Sequence, residues 1–172
     1  ATVRGADNTT AGVAGRQSNT RQKHSDFGAN AVPCDATGCD TAFVGSAAGI
    51  ANSTGNGNAF FGLDAGRSNS NDINSFFGFQ TGFTNTTGGG NSFFGAQAGW
   101  RNSIGRDNSF FGGGAGDQQP TGHKNTCHGN YTSYTNHVQR TPPLSRHGSN
   151  GQTQKIHTPT IGIRKAGTNA TH

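Results

Sequence analysis

Large apolar residues reach this chain as short doublets set in long polar stretches: Phe43-Val44, Phe60-Phe61, Phe76-Phe77, Phe93-Phe94 and Phe110-Phe111, each followed at once by a glycine. Steps of 16 or 17 residues from Gly62, Gly78, Gly95 and Gly112 reach Gly45, Gly28 and Gly12 on one side. On the other side they reach Gly129 and then, after a double interval, Gly162. A fixed period of this length marks a repeat architecture. We denote positions by their offset from this anchor glycine. Offset +7 carries Asn19, Asp35, Asn52, Asn69, Asn85, Asn102, Gln119, Asn136 and Asn169. Offset −4 carries Asn8, Asn58, Asn74, Asn91, Asn108 and Asn125, and offset +3 is small, with Ala31, Ala48, Ala65, Thr81, Ala98, Ala115 and Thr132.

A unit of about 17 residues with two or three glycines cannot hold a helix pair, because glycine costs about 1 kcal/mol at each helical position. Short strands bent at glycines do fit. Stacked in parallel about 4.8 Å apart, they predict an all-β fold, a parallel β-solenoid or β-roll of about ten coils with a 16–17-residue period. The register spans nearly the whole chain and predicts a single domain, residues 1–172. Regular repeats occupy about 8–136, a degraded repeat with a loop expelled by Pro142-Pro143 about 137–157, and a last coil about 158–172. Side-chain amides can hydrogen-bond up and down such a stack. Asn19, Asn52, Asn69, Asn85, Asn102, Asn136 and Asn169 are therefore expected to form an Asn ladder, a turn role being the alternative for each.

Adjacent strand residues point to opposite faces, so one Phe of each pair enters the core and the other points out. Offset −1 reads Phe27, Val44, Phe61, Phe77, Phe94, Phe111 and, in the last coil, Ile161. Being apolar nearly end to end, it is the expected core stripe. Offset −2 is aromatic only in the middle, at Phe43, Phe60, Phe76, Phe93 and Phe110, and is expected to face outward as an assembly interface. Five outward rings of about 150 Å² each would expose roughly 750 Å², more than soluble monomers usually show. A wider coil, or a loop from residues 130–160, is the alternative cover. A third column at +5, with Ile50, Phe83, Trp100 and Tyr134, could stack coil on coil or against sugars.

Composition narrows the classes. Of 172 residues only 25 are Leu, Ile, Val or Phe, too few for an ordinary globular core, yet only 12% are charged, so the rule for disorder is half met. No apolar run approaches the 18 residues of a membrane span. The net charge of +5 resides in the ends, away from the aromatic middle, which argues against a nucleic-acid site. The chain has no Met, and the expected form is a secreted or cell-surface chain whose export signal has been removed. Three cysteines leave at least one outside any internal pair. Cys34 and Cys39 are close enough to form a local disulfide or to stand as two free thiols, and the state of Cys127 is left open. A disulfide would fit an oxidising compartment.

The units Asn74-Ser75-Phe76-Phe77-Gly78-Phe79-Gln80-Thr81-Gly82 and Asn91-Ser92-Phe93-Phe94-Gly95-Ala96-Gln97-Ala98-Gly99 resemble the N-[ST]-x-x-G-x-x-A-G repeats of trimeric autotransporter adhesin heads and of phage tail-fibre-like bacterial surface proteins. The resemblance covers roughly residues 41–126. It implies a parallel β-roll, surface exposure and homo-oligomeric fibres. The family's units are shorter and carry small aliphatics where this chain has Phe-Phe.

Catalytic chemistry finds little footing. There is no Glu, and neither a G-x-S-x-G turn nor a paired-carboxylate spacing appears. His123, His128, His137, His147 and His157 gather near Cys127 but lack metal-ligand spacing, so no metal or other cofactor is expected. Asn8, Asn52, Asn85, Asn130 and Asn169 head N-x-S/T triplets and are candidate glycosylation sites, although glycans on Asn52 and Asn85 would conflict with an inward ladder. The expected protein is structural and non-enzymatic, an extracellular solenoid subunit that assembles with copies of itself into a fibre, matrix filament or adhesin shaft. The alternative is a glycan-binding adhesin module using Phe83 and Trp100; an ice-binding solenoid would need a regular Thr array that does not recur.

Overall fold

The computed structural model describes residues 9–12, 24–31 and 38–132. Eight strands stack in chain order in one parallel sheet: β1 (Thr9–Ala11), β2 (His24–Phe27), β3 (Thr41–Val44), β4 (Ala59–Phe61), β5 (Ser75–Phe77), β6 (Ser92–Phe94), β7 (Ser109–Phe111) and β8 (Thr126–His128). The fold is the expected all-β parallel β-solenoid with a period of about 17 residues, and the described residues contain no helix. Each strand pairs with the equivalent residues of the next coil, Phe76 with Phe93 and Phe77 with Phe94, for example. Intercoil bonding continues around the rest of the circuit. Gly99 N–H donates to Ala115 O at 2.8 Å, Arg101 N–H to Asp117 O at 3.0 Å and Asp107 N–H to Gly89 O at 3.0 Å.

The anchor glycine exists because coils touch there backbone to backbone. Gly95 sits at φ 134°, and a Cβ on it would lie 2.6 Å from the carbonyl oxygen of Gly112. No residue with a side chain fits that gap. Asp64, Gln80 and Gln97, two residues after their anchors, nonetheless hold left-handed backbone near φ +55°.

The two Phe columns lie on the faces opposite to those expected. Phe43, Phe60, Phe76, Phe93 and Phe110 are completely buried, whereas Phe27 is 41% exposed and Val44, Phe61, Phe77, Phe94 and Phe111 are half-buried on the solvent side of the sheet. The assignment of Phe27, Val44, Phe61, Phe77, Phe94 and Phe111 to the core, and of Phe43, Phe60, Phe76, Phe93 and Phe110 to an assembly interface, is therefore reversed. Ile161 lies outside the described residues. Two packing facts set the orientation. Offsets −4 and −2 share a face of the strand, so the Asn side chains at −4, which bond inside the coil, bring the −2 rings in with them. Each −2 ring then packs closely against a glycine at +4. A Cβ on Gly99, at φ 61°, would fall 2.4 Å from the Phe93 ring, and Gly49, Gly66, Gly82 and Gly116 stand in the same relation to their rings.

Both columns are continuous stacks. The inner centroids are 4.6–4.9 Å apart with planes within 10°. Outside, Phe61, Phe77, Phe94 and Phe111 repeat at 4.7–5.0 Å within 6°, and His128 caps the row at 5.4 Å. The interior is completed by the small +3 column, where Ala48, Ala65, Thr81, Ala98 and Ala115 are fully buried.

Truncating neighbours from the two columns should give unequal losses. Phe93→Ala, which empties the core, is expected to cost about 3–5 kcal/mol. Phe94→Ala, which removes a half-exposed ring and one stacking partner on each side, is expected to cost about 1–2 kcal/mol. Urea unfolding of both variants checks the order, and a Phe94→Ala loss as large as that of Phe93→Ala would contradict it.

Candidate functional site: the buried amide ladders and the aromatic faces

Two columns of carboxamides line the coil interior beside the Phe stack. At −4, Asn58, Asn74, Asn91, Asn108 and Asn125 are buried, and the Oδ1 of each of the first four accepts from the backbone N–H of the next Asn in the column: Asn74 at 2.8 Å, Asn91 and Asn108 at 3.0 Å, and Asn125 at 2.9 Å. The amide nitrogens close the cross-section. Asn91 Nδ2 donates to Gly105 O at 2.8 Å and Asn108 Nδ2 to Gly122 O at 2.7 Å. At +7, Asn52, Asn69, Asn85 and Asn102 are completely buried. Asn85 Nδ2 donates to Asn69 Oδ1 at 2.7 Å and Asn102 Nδ2 to Asn85 Oδ1 at 3.1 Å, while Asn52 bonds within its own turn. Asn19, Asn136 and Asn169 lie outside the described residues. Satisfying these groups is obligatory, since a buried amide without partners costs about 1–3 kcal/mol.

The coil between Gly62 and Gly78 is one residue short, and Asn71 absorbs the deficit. It stands where other coils have glycine, its carbonyl accepts from Asn58 and Asn69 at 2.8 Å, and its Oδ1 caps the Asp72 N–H at 2.7 Å.

The ladders change character at both ends of the described stack. At one end His24 and Thr41 occupy −4, bonded to each other, and His24 Nε2 lies 3.1 Å from Gly38 O. Asp26 takes the buried −2 position of the rings. At the other end Cys127 replaces the ring and Gln119 replaces the Asn at +7, with Gln119 Nε2 turned toward Cys127 Sγ at 3.6 Å. Asn102 Oδ1 is left without a donor.

Offset +5 forms a separate outer cluster. The Arg67 guanidinium lies over the Phe83 ring at 5.6 Å and that of Arg101 over Trp100 at 5.2 Å, while the two rings meet at 6.2 Å and 43°. One face of each ring, where the alternative reading would seat a sugar, is covered by a guanidinium of this chain. Arg101 also donates to Gln118 Oε1 at 3.0 Å, and Gln118 Nε2 to Asp117 Oδ2 at 3.1 Å. Asp117 is buried, and its Oδ1 and the Trp100 Nε1–H have no partner. Burial pushes the Asp117 carboxyl above the ordinary carboxylate range, against smaller opposing pulls from the Gln118 amide and the Arg101 charge.

The remaining candidates are dispersed. Cys127 points into the core while its neighbour His128 is exposed on the outer face, and His123 Nδ1 accepts from the Arg106 N–H at 3.0 Å. Among the described residues no three His, Cys, Asp or Glu converge as metal ligands, and no helix is long and apolar enough to cross a membrane. His137, His147, His157, Tyr134 and Cys34, and with Cys34 the candidate disulfide to Cys39, lie outside the described residues. Of the glycosylation candidates, Asn130 is exposed, whereas the Asn52 and Asn85 amides are buried and donated, so neither nitrogen can carry a glycan in the folded coil. Asn8 and Asn169 lie outside the described residues. No family model matches the chain, and no curated protein or solved structure matches it.

Two outcomes follow from this geometry. Gln119→Asn alone opens space beside Cys127, and Cys127→Leu alone crowds Gln119, while bringing no ring that would need a glycine at +4, where this coil has Ser133. The double variant refills the space and lets the shorter amide introduced by Gln119→Asn donate to Asn102 Oδ1. A double-mutant cycle should therefore show favourable coupling of about 1 kcal/mol or more, and additive effects would contradict the compensation. For Asp117, the folded pKa lies above the unfolded one, so its contribution to stability is full below the unfolded value and is lost as pH rises through the folded one. Asp117→Asn should raise the melting temperature near neutral pH, and the gain should vanish below about pH 4. Thermal melts across pH test this, and a gain that persists in acid would refute it.

Proposed function

We propose that this chain is a structural, non-enzymatic subunit of an extracellular fibre, matrix filament or adhesin shaft, built to associate with copies of itself. The observation that carries the proposal is the sameness of the cross-section from β4 to β7: ring over ring, amide over amide, with the interior hydrogen-bonding groups directed at the next coil. A catalytic site concentrates unlike groups at one place, whereas this arrangement distributes like groups along an axis, as a load-bearing or spacing element requires. The half-exposed outer aromatic row adds an apolar surface that favours association. The resemblance of residues 41–126 to adhesin-head and tail-fibre-like repeats agrees with a surface role, and both the family assignment and the extracellular location belong to the proposal. The glycan-binding alternative is weakened by the guanidinium groups that cover Phe83 and Trp100.

Electron microscopy of the purified full chain, with sedimentation at micromolar concentration, tests the reading. Elongated multimers or filaments are expected. A monodisperse monomer in both measurements would overturn it.

A further inference from the structure

The outer face of the sheet has a shape that bears on how copies meet. Along β2 to β8, offset −1 forms a ridge of large side chains, Phe61, Phe77, Phe94 and Phe111 at its centre. Beside it, on the same face, offset −3 forms a trough of small ones, Ala42, Ala59, Ser75, Ser92 and Ser109. No Asp, Lys or Arg occupies either column in any of the eight strands. Leu63 and Phe79, each 46% exposed, extend the apolar surface past the anchor glycine.

We propose that this face pairs with the same face of a second copy, the Phe ridge of each seated in the Ala/Ser trough of the other. The inference rests on the self-assembling reading above and specifies its contact. Three observations select a second copy. First, the outer rings stack on one another with planes within 6°, so Phe77 and Phe94 each have a ring on both sides. Sugar stacking needs a free ring face, and a row of stacked rings suits close packing against another sheet. Second, the ridge is corrugated at 4.7–5.0 Å, the spacing of strands in a sheet, and a second copy carries that same period. Third, the face is about 38 Å long for eight strands 4.8 Å apart and roughly 13 Å wide, so a pair buries about 1,000 Å², about the least area that a biological interface needs. With no Asp, Lys or Arg in either column, like-charge repulsion among such groups does not oppose the contact.

Symmetry then chooses the orientation. A two-fold axis parallel to the stacking direction reverses the partner's strands and lays its −3 column over this chain's −1 column, and the reverse contact follows. A two-fold along the strands would set ridge against ridge. The paired rods are thus parallel, with both β1 ends on the same side.

The test compares wild type with Phe77→Ser/Phe94→Ser and with Ser75→Arg/Ser92→Arg by sedimentation, folding being checked by circular dichroism and melting temperature. The second variant keeps every ring and fills the trough, so it remains informative if the first fails to fold. Wild type is expected to associate and both folded variants to sediment as monomers. A folded Ser75→Arg/Ser92→Arg protein that associates like wild type overturns this contact while leaving assembly through another surface standing. A monomeric wild type overturns both, and if that monomer pellets with phosphatidylcholine vesicles the face belongs to a lipid surface instead.

Discussion

Parallel hydrogen bonding between coils sets the terms for every side chain here. Once Gly95 N–H donates to Phe77 O at 2.9 Å and Gly112 N–H to Phe94 O at 2.7 Å, residue n is held one strand spacing from its counterpart in the next coil, and like must tolerate like. Aromatic rings do so by stacking, and carboxamides do so because each carries both a donor and an acceptor. Like charges at that distance repel, which fits a chain with 12% charged residues and no Glu. The composition that looks too polar for a globular core is the one this constraint selects.

The buried amides then do what large apolar volume does elsewhere. A fully buried Asn is costly unless its hydrogen bonds are met. Asn91 and Asn108 meet theirs twice over, with the neighbouring coil's Asn through Oδ1 and with a turn carbonyl through Nδ2. The arrangement ties the strand to the turn across the coil, so the interior needs only one large ring per circuit. Stability of this kind is local to adjacent coils, and a substitution is felt mainly where a column is interrupted, as at Asn102 beneath Gln119.

The period, the parallel stack and the amide columns are legible in the residues because repetition displays them directly. Which Phe faces inward is not, since two adjacent apolar residues satisfy strand alternation in either phase. Continuity along offset −1 favours the wrong column. A decisive signal is present in a different pairing. Glycine stands at +4 in the five coils whose −2 residue is Phe, at Gly49, Gly66, Gly82, Gly99 and Gly116, whereas Val32 stands there in the coil of Asp26 and Ser133 in that of Cys127. The glycine tracks the −2 ring and ignores the −1 ring of Phe27, because only a ring that turns inward needs the space a missing Cβ leaves. The covered faces of Phe83 and Trp100 are beyond such reasoning, as they depend on where Arg67 and Arg101 fold back.

Where the described columns change residue also bears on how copies meet. Inside, the regular ring and amide columns give way to Asp26 with His24 on one side and to Cys127 with Gln119 on the other, which brings polar groups into the core. Outside, the row of Phe61, Phe77, Phe94 and Phe111 passes to Val44 on one side and to His128 on the other, and His128 keeps the stack at 5.4 Å. The outer changes introduce no Asp, Lys or Arg, so the face continues past its central rings as a surface that another sheet can pack against, which is the form of association that the ridge and trough describe.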